Sequence, residues 1–265
     1  MLNEKAIKYT KKTYGSMVIY KEFDQKIVIP TNNGNTGVRG TSETAKSTYE
    51  SMKRTKENIR DLVINNDFTH WGTVTYDSKK INRYDLEEIQ KKTSQYLKNI
   101  KKRYDNNMQY LLIFEQHKDK AWHGHMFLKT LAVHMENATT KKGNDMTENG
   151  QSVLNWKLWA NKFGFTKFLD ISHLYGNSSE NYTELLKVSN YITKYITKDL
   201  IELRANKKKY WASRGLTKPK KESFSKVKGT PGRVPFHKSN YSIIHHLTGE
   251  VVNAITTTCY EELPF

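Results

Sequence analysis

Residues 108–130 read MQYLLIFEQHKDKAWHGHMFLKT. Two strongly apolar runs, Met108–Glu115 and Trp122–Thr130, flank the short polar link Gln116–Ala121. Runs of that length, joined that tightly, predict an antiparallel pair of strands. Side chains two apart on a strand share a face, so His123 and His125 point the same way. Glu115 ends the first strand, where a tight pairing sets it opposite the histidines. Two imidazoles and a carboxylate with open positions suit a divalent ion such as Mg²⁺ or Mn²⁺ that must also hold substrate. His117 is the nearest alternative ligand.

Outward from this pair, element types alternate. Phe68–Tyr76, FTHWGTVTY, is a Thr- and aromatic-rich strand candidate. Asp85 opens a helix to about Tyr104, with Glu88 three residues on as capping-box partner. Ser152–Lys162 is a short helix, Phe165–Ile171 a fourth strand, and about Glu180–Leu203 a long helix. The order βαββαβ plus a helix predicts an α+β fold: a ferredoxin-like antiparallel sheet with one appended helix. Glu43–Asn65 is a further helix, with Lys46, Lys53, Arg54, Lys56 and Arg60 on its exposed face. His134–Gln151 reads as a polar surface loop. A hairpin is expected from Met17–Tyr20 and Lys26–Ile29 around a polar Glu22–Gln25 turn, followed by a Gly- and Asn-rich loop, Pro30–Ser42. Three segments follow: 1–42, a core at 43–204, and a basic accessory segment at 205–265, where Tyr241–Ile244 is strand-like.

Composition narrows the function. The 265 residues carry 44 Lys and Arg against 27 Asp and Glu, a net +17, which points to a polyanionic partner, nucleic acid first. Between Lys187 and Lys238, 15 basic residues face 3 acidic ones, with Tyr210, Trp211 and Phe224 interleaved. That mixture suits phosphate neutralisation with base stacking. One cysteine, Cys259, excludes an internal disulfide framework and a Cys-rich zinc module. No membrane-length apolar run or signal-peptide core occurs, so a cytoplasmic setting is expected. No G-x-x-x-x-G-K-[ST] is present, so the chain has no P-loop helicase of its own.

Val188–Lys198, VSNYITKYITK, repeats a Tyr-Ile-Thr-Lys unit. On a helix Tyr191 and Tyr195 share a face, with Lys194 and Lys198 in a column beside them. A buried tyrosine stripe with solvated lysines is one reading. The other is chemical: an activated phenol attacks a phosphodiester, a cation polarises it, and a lysine steadies the developing charge.

With the Thr-rich strand, the histidine pair and the tyrosine segment in this order, the sequence resembles rolling-circle replication initiators of the HUH endonuclease superfamily, most of all the phage and plasmid group that includes filamentous-phage gene II proteins. The resemblance spans about residues 45–220 and extends to WANKFGFTKFLDIS and KKKYWASRGLTKP. Gly124 stands where the superfamily has a bulky apolar residue. The resemblance implies an HUH endonuclease fold, metal ligands His123, His125 and Glu115, and site-specific nicking of one origin strand through a 5′-phosphotyrosine. It also implies a 3′-OH that primes synthesis, strand rejoining, and a host helicase and DNA polymerase as partners. Tyr195, in the Lys198-Asp199 context, is expected to attack first and Tyr191 second. Thr73, Thr75, Lys207, Lys208, Lys209, Tyr210, Trp211 and Arg214 are the expected contacts to single-stranded or hairpin origin DNA. The alternatives are a relaxase or transposase of the same chemistry, or a non-catalytic basic nucleic-acid binder.

Overall fold

Alternating apolar residues need two packed layers, and the computed structural model supplies them. It describes residues 4–30, 45–131, 134–176, 178–197, 208–225, 234–244 and 250–261. The strands are β1 (Glu4–Tyr14), β2 (Met17–Pro30), β3 (His70–Val74), β4 (Gln109–Gln116), β5 (Trp122–Lys129), β6 (Met135–Asn137), β7 (Thr147–Glu148), β8 (Gln151–Ser152), β9 (Leu154–Trp156), β10 (Thr166–Asp170), β11 (Trp211–Ala212), β12 (Lys220–Phe224), β13 (His237–Ile244) and β14 (Val251–Glu261). The helices are α1 (Ala45–Ile64), α2 (Leu86–Tyr104), α3 (Lys157–Lys162) and α4 (Ser179–Thr193). They form a mixed α+β chain with antiparallel sheets and two compact units, one of residues 1–41, 177–184 and 218–265 and a larger one of 42–176 and 185–217, so that one of the crossings between them falls within α4.

The larger unit holds the elements predicted for the core, apart from the first residues of α4. Its sheet runs β11-β4-β5-β3-β10-β9-β6, and every paired neighbour is antiparallel. Val74, Leu112, Phe114, Met126, Leu128 and Phe168 alternate onto one buried face. Ile89, Leu97 and Ile100 of α2 are buried too, and the Tyr76 hydroxyl lies 2.8 Å from Thr93 Oγ1 on that helix. Asp85 caps α2 by accepting from the backbone N–H groups of Glu87 and Glu88, which would otherwise lack partners.

Residues 134–151 are not the polar loop expected. They contain β6, β7 and the start of β8, and β6 pairs with β9, which extends the large sheet. Ala138 and Val153 are fully buried under this excursion. Met135, Ala138 and Met146 are the apolar residues of this 18-residue stretch, too widely and unevenly spaced to leave a periodic signal.

The N-terminal hairpin also differs. β2 is continuous across Glu22–Gln25, where a turn was expected, because Glu22 pairs with Tyr9 on one side and Thr256 on the other. The turn lies instead at Gly15, whose φ of 54° suits glycine. The sequence treats 1–42 and 205–265 as separate segments, yet β1 and β2 share one sheet, β12-β1-β2-β14-β13, with the C-terminal strands. Ile7, Phe23 and Ile255 form its buried cluster. The expected loop at 30–42 falls almost wholly outside the described residues.

Candidate functional site

The β4–β5 register sets Glu115 directly opposite His123, and alternation puts His125 on the same face. Glu115 Oε2 lies 3.0 Å from His123 Nε2 and 2.9 Å from His125 Nε2. The two Nε2 atoms are 3.1 Å apart. Both imidazoles are 5% exposed. Burial, then the neighbouring His125 and His117, lower His123 to about 4, against the raising pull of Glu115. Burial, then Lys194 and His117, lower His125 to about 3. The rings are therefore neutral at physiological pH, the form in which imidazole ligates metals. His123 Nδ1 is buried with no hydrogen-bond partner, and His125 Nδ1 makes only a long 3.5 Å approach to Thr73 Oγ1.

Two imidazole nitrogens and a carboxylate oxygen crowding one point repel or compete unless a positive centre joins them. The donor atoms of Glu115, His123 and His125 lie within 4.8 Å of one another, a candidate metal-binding triad. Its donor set fits a divalent cation that keeps open positions for substrate. His117, the alternative ligand, packs on His123 with centroids 3.9 Å apart and the rings tilted by 34°, and the triad forms without it.

The tyrosine segment reaches the same place by a different local structure from the one expected. α4 ends at Thr193, so only Tyr191 is helical. Lys194 and Tyr195 follow in a turn, whose N–H groups bond three residues back to Tyr191 and Ile192. The tighter winding keeps Ile192 and Ile196 both buried. It lays the Tyr195 ring flat on His125, centroids 3.5 Å apart at 10°. Tyr191 stands edge-on to Tyr195 at 5.7 Å and to Trp71 at 6.2 Å. Lys194 Nζ sits 3.5 Å from the Tyr191 ring centroid and 4.9 Å from that of Tyr195. Tyr195 is 8% exposed and Tyr191 49%. Hydrogen bonds from Lys194 and then Tyr195 hold the Tyr191 phenol below its usual value. Burial first, then the bond to Tyr191, pushes the Tyr195 phenol up.

The DNA-contact candidates divide. Thr73 pairs with His125 and faces the site, and Thr75 lies two residues on along the same face, its hydroxyl donating to Phe165 O at 2.6 Å. Lys208 and Arg214 are exposed, and Lys209 and Tyr210 half-buried. Trp211 pairs with Leu112, which sets it on the face opposite Glu115, and its ring packs against Phe114 at 4.8 Å. It does not join the triad's face, because β11 adds an edge strand whose alternation turns the indole toward the core. Lys198 and Lys207, with the expected helix end at Leu203, lie outside the described residues. Sequence reading missed Trp71, which stacks on His125 at 5.9 Å and on Phe127 at 4.6 Å. Its signal was the period of two that links it to Thr73.

Among the described residues, no helix is long and apolar enough to cross a membrane. At a stringent threshold, no curated protein and no solved structure matches the chain. Residues 69–200, which hold β3, the triad and both tyrosines, match the family model for replication-associated protein ORF2/gene II protein, and that match supports a replication-initiator family with DNA as partner.

Proposed function

We propose that this protein is a metal-dependent HUH endonuclease that nicks one strand of origin DNA and later rejoins it. The observation that carries this reading is the convergence of Glu115, His123 and His125 with Tyr191 and Tyr195 on one sheet face. The strand order β4-β5-β3-β10, all antiparallel, supports a ferredoxin-like core. Glu115, His123 and His125 would hold the ion, which supplies Lewis-acid polarisation of the scissile phosphate when bound.

The chain's own residues do the rest. A tyrosine phenol gives up its proton as its oxygen bonds to phosphorus, the P–O3′ bond breaks, and the departing 3′ oxygen takes up a proton in exchange. The product is a 5′-phosphotyrosine and a free 3′-OH. Attack by a 3′-OH on that phosphotyrosine reverses the step and reseals a strand. We assign the first attack to Tyr191, reversing the order read from the sequence. Its phenol is half exposed beside Lys194, whereas Tyr195 is covered by His125. Tyr195, hydrogen-bonded to Tyr191, then serves as the second nucleophile. Lys194 offsets charge developing on the phosphate, a role the sequence also gives to Lys198. Single-stranded or extruded origin DNA is the substrate in the host cytoplasm, with unwinding by a host helicase and extension by a DNA polymerase.

A nicking assay on the replicon's own supercoiled DNA, with and without Mn²⁺, tests this. His123→Ala should abolish nicking yet leave most of the salt-sensitive DNA affinity, which phosphate contacts dominate. Parallel loss of both would mean that the histidines are structural.

A further inference from the structure

Phe165 is an apolar side chain immediately before β10, yet 42% of it is exposed. Its carbonyl accepts from Thr75 N–H at 3.0 Å, which continues the β3–β10 ladder one step past Thr166–Val74. Antiparallel partners share a face, so Phe165 projects with Thr75. One residue before that, Val74 pairs with Gly124, which brings Thr75 beside His123, and His123 faces Glu115. The sheet therefore carries a row Phe165–Thr75–His123–Glu115. At about 4.8 Å per strand, Phe165 stands roughly 10 Å from His123.

The next row holds Lys167, Thr73 and His125, and a third holds Leu169, Trp71 and Phe127. Thr73, Thr75, Lys167 and Leu169 are all partly open to solvent. Lys162, just before this strand, is exposed as well. The surface thus joins an exposed ring to hydroxyl groups and to two ammonium groups, the Lys167 one paired with Glu148 Oε2 at 2.6 Å, beside the metal triad in a chain of net charge +17. A flat ring with cationic neighbours is what an unpaired nucleobase on a phosphate backbone recognises.

We propose that Phe165 is a stacking platform for one base of the single DNA strand, close to the phosphodiester held at Glu115, His123 and His125. The proposal deepens, and rests on, the nicking reading above. Stacking needs a π-face and a base, and no divalent ion, so binding without metal isolates it from catalysis. The experiment is fluorescence anisotropy with a labelled oligothymidylate in EDTA, beside the same chain made wholly of abasic residues.

Phe165→Ala and Phe165→Leu should each weaken oligothymidylate binding roughly 5- to 150-fold, the range for one lost stacked base. Phe165→Trp should bind within about twofold of the native chain. None should change affinity for the abasic strand, where only phosphates remain. The leucine variant keeps apolar bulk, so its loss separates stacking from packing. Native-like binding by the alanine variant, or an equal loss on the abasic strand, would overturn the proposal. Absence of nicking alongside a Phe165-dependent preference for bases would instead refute the endonuclease reading and leave the base site standing.

Discussion

Gly124 sits between the two histidines, where the resembled superfamily has a bulky apolar residue. A Cβ added there would lie 2.6 Å from Leu112 Cδ1 and 2.9 Å from Val74 Cγ2. Both neighbours are buried, Leu112 at 1% and Val74 at 0% exposure, so neither can swing into solvent. The volume a larger residue would occupy is already filled from β4 and β3. Gly124→Ala should therefore cost about 1–3 kcal/mol through overpacking. At 1.4 kcal/mol per tenfold, that lowers the folded-to-unfolded ratio roughly 5- to 150-fold. Leu112→Ala alone should cost about 2–5 kcal/mol by opening a cavity. Combined, the new methyl enters space that Leu112 vacated, so the pair should be less destabilised than the sum by at least about 0.5 kcal/mol. Urea unfolding followed by near-UV circular dichroism measures all three, provided the slopes agree. A Gly124→Ala variant within about 0.5 kcal/mol of the native chain, or strict additivity, would refute this account of the glycine.

The remaining predictions concern the site. With an oligonucleotide spanning the nick, Tyr191→Phe should abolish the initial covalent adduct. Tyr195→Phe should still form it but fail at strand transfer, and the opposite pattern in denaturing gels would reverse the assignment. Acid should weaken the metal-free protein. Burial lowers His70, His123 and His125, so the unfolded chain binds protons below about pH 6.5 that the folded chain does not. Stability is then full above about pH 6.5 and falls with pH toward the folded values, about 4 for His123 and about 3 for His125. Substituting His70 by Gln should flatten part of that decline in urea midpoints measured across the window, and an unchanged profile would contradict it.

What the sequence revealed follows its local signals. β4, β5 and α2 were readable because apolar runs, a short link and an N-cap are encoded within a few residues. The Glu115–His123 pairing followed from that link, since a tight hairpin leaves little freedom of register. Tyr195 reached His125 for a reason no spacing rule supplies. The helix yields to a turn after Thr193, where tertiary burial of Ile192 and Ile196 outweighs helical continuation. The sheet joining β1 and β2 with β12–β14 was invisible because its partners stand far apart in the chain, and strand alternation names a face but not its neighbour. The packing of Trp211 was out of reach for a similar reason: an aromatic in a basic stretch is as able to cover Phe114 as to stack on a base.

The most direct test is mass spectrometry of the covalent product formed when the purified protein meets single-stranded origin DNA with Mn²⁺ or with EDTA. A 5′-phosphate ester on Tyr191, formed with Mn²⁺ and absent in EDTA and in Glu115→Ala, is the predicted result. Cleavage that leaves no tyrosine-linked DNA, or an adduct that forms equally well in EDTA, would contradict a metal-assisted phenol attack at this site.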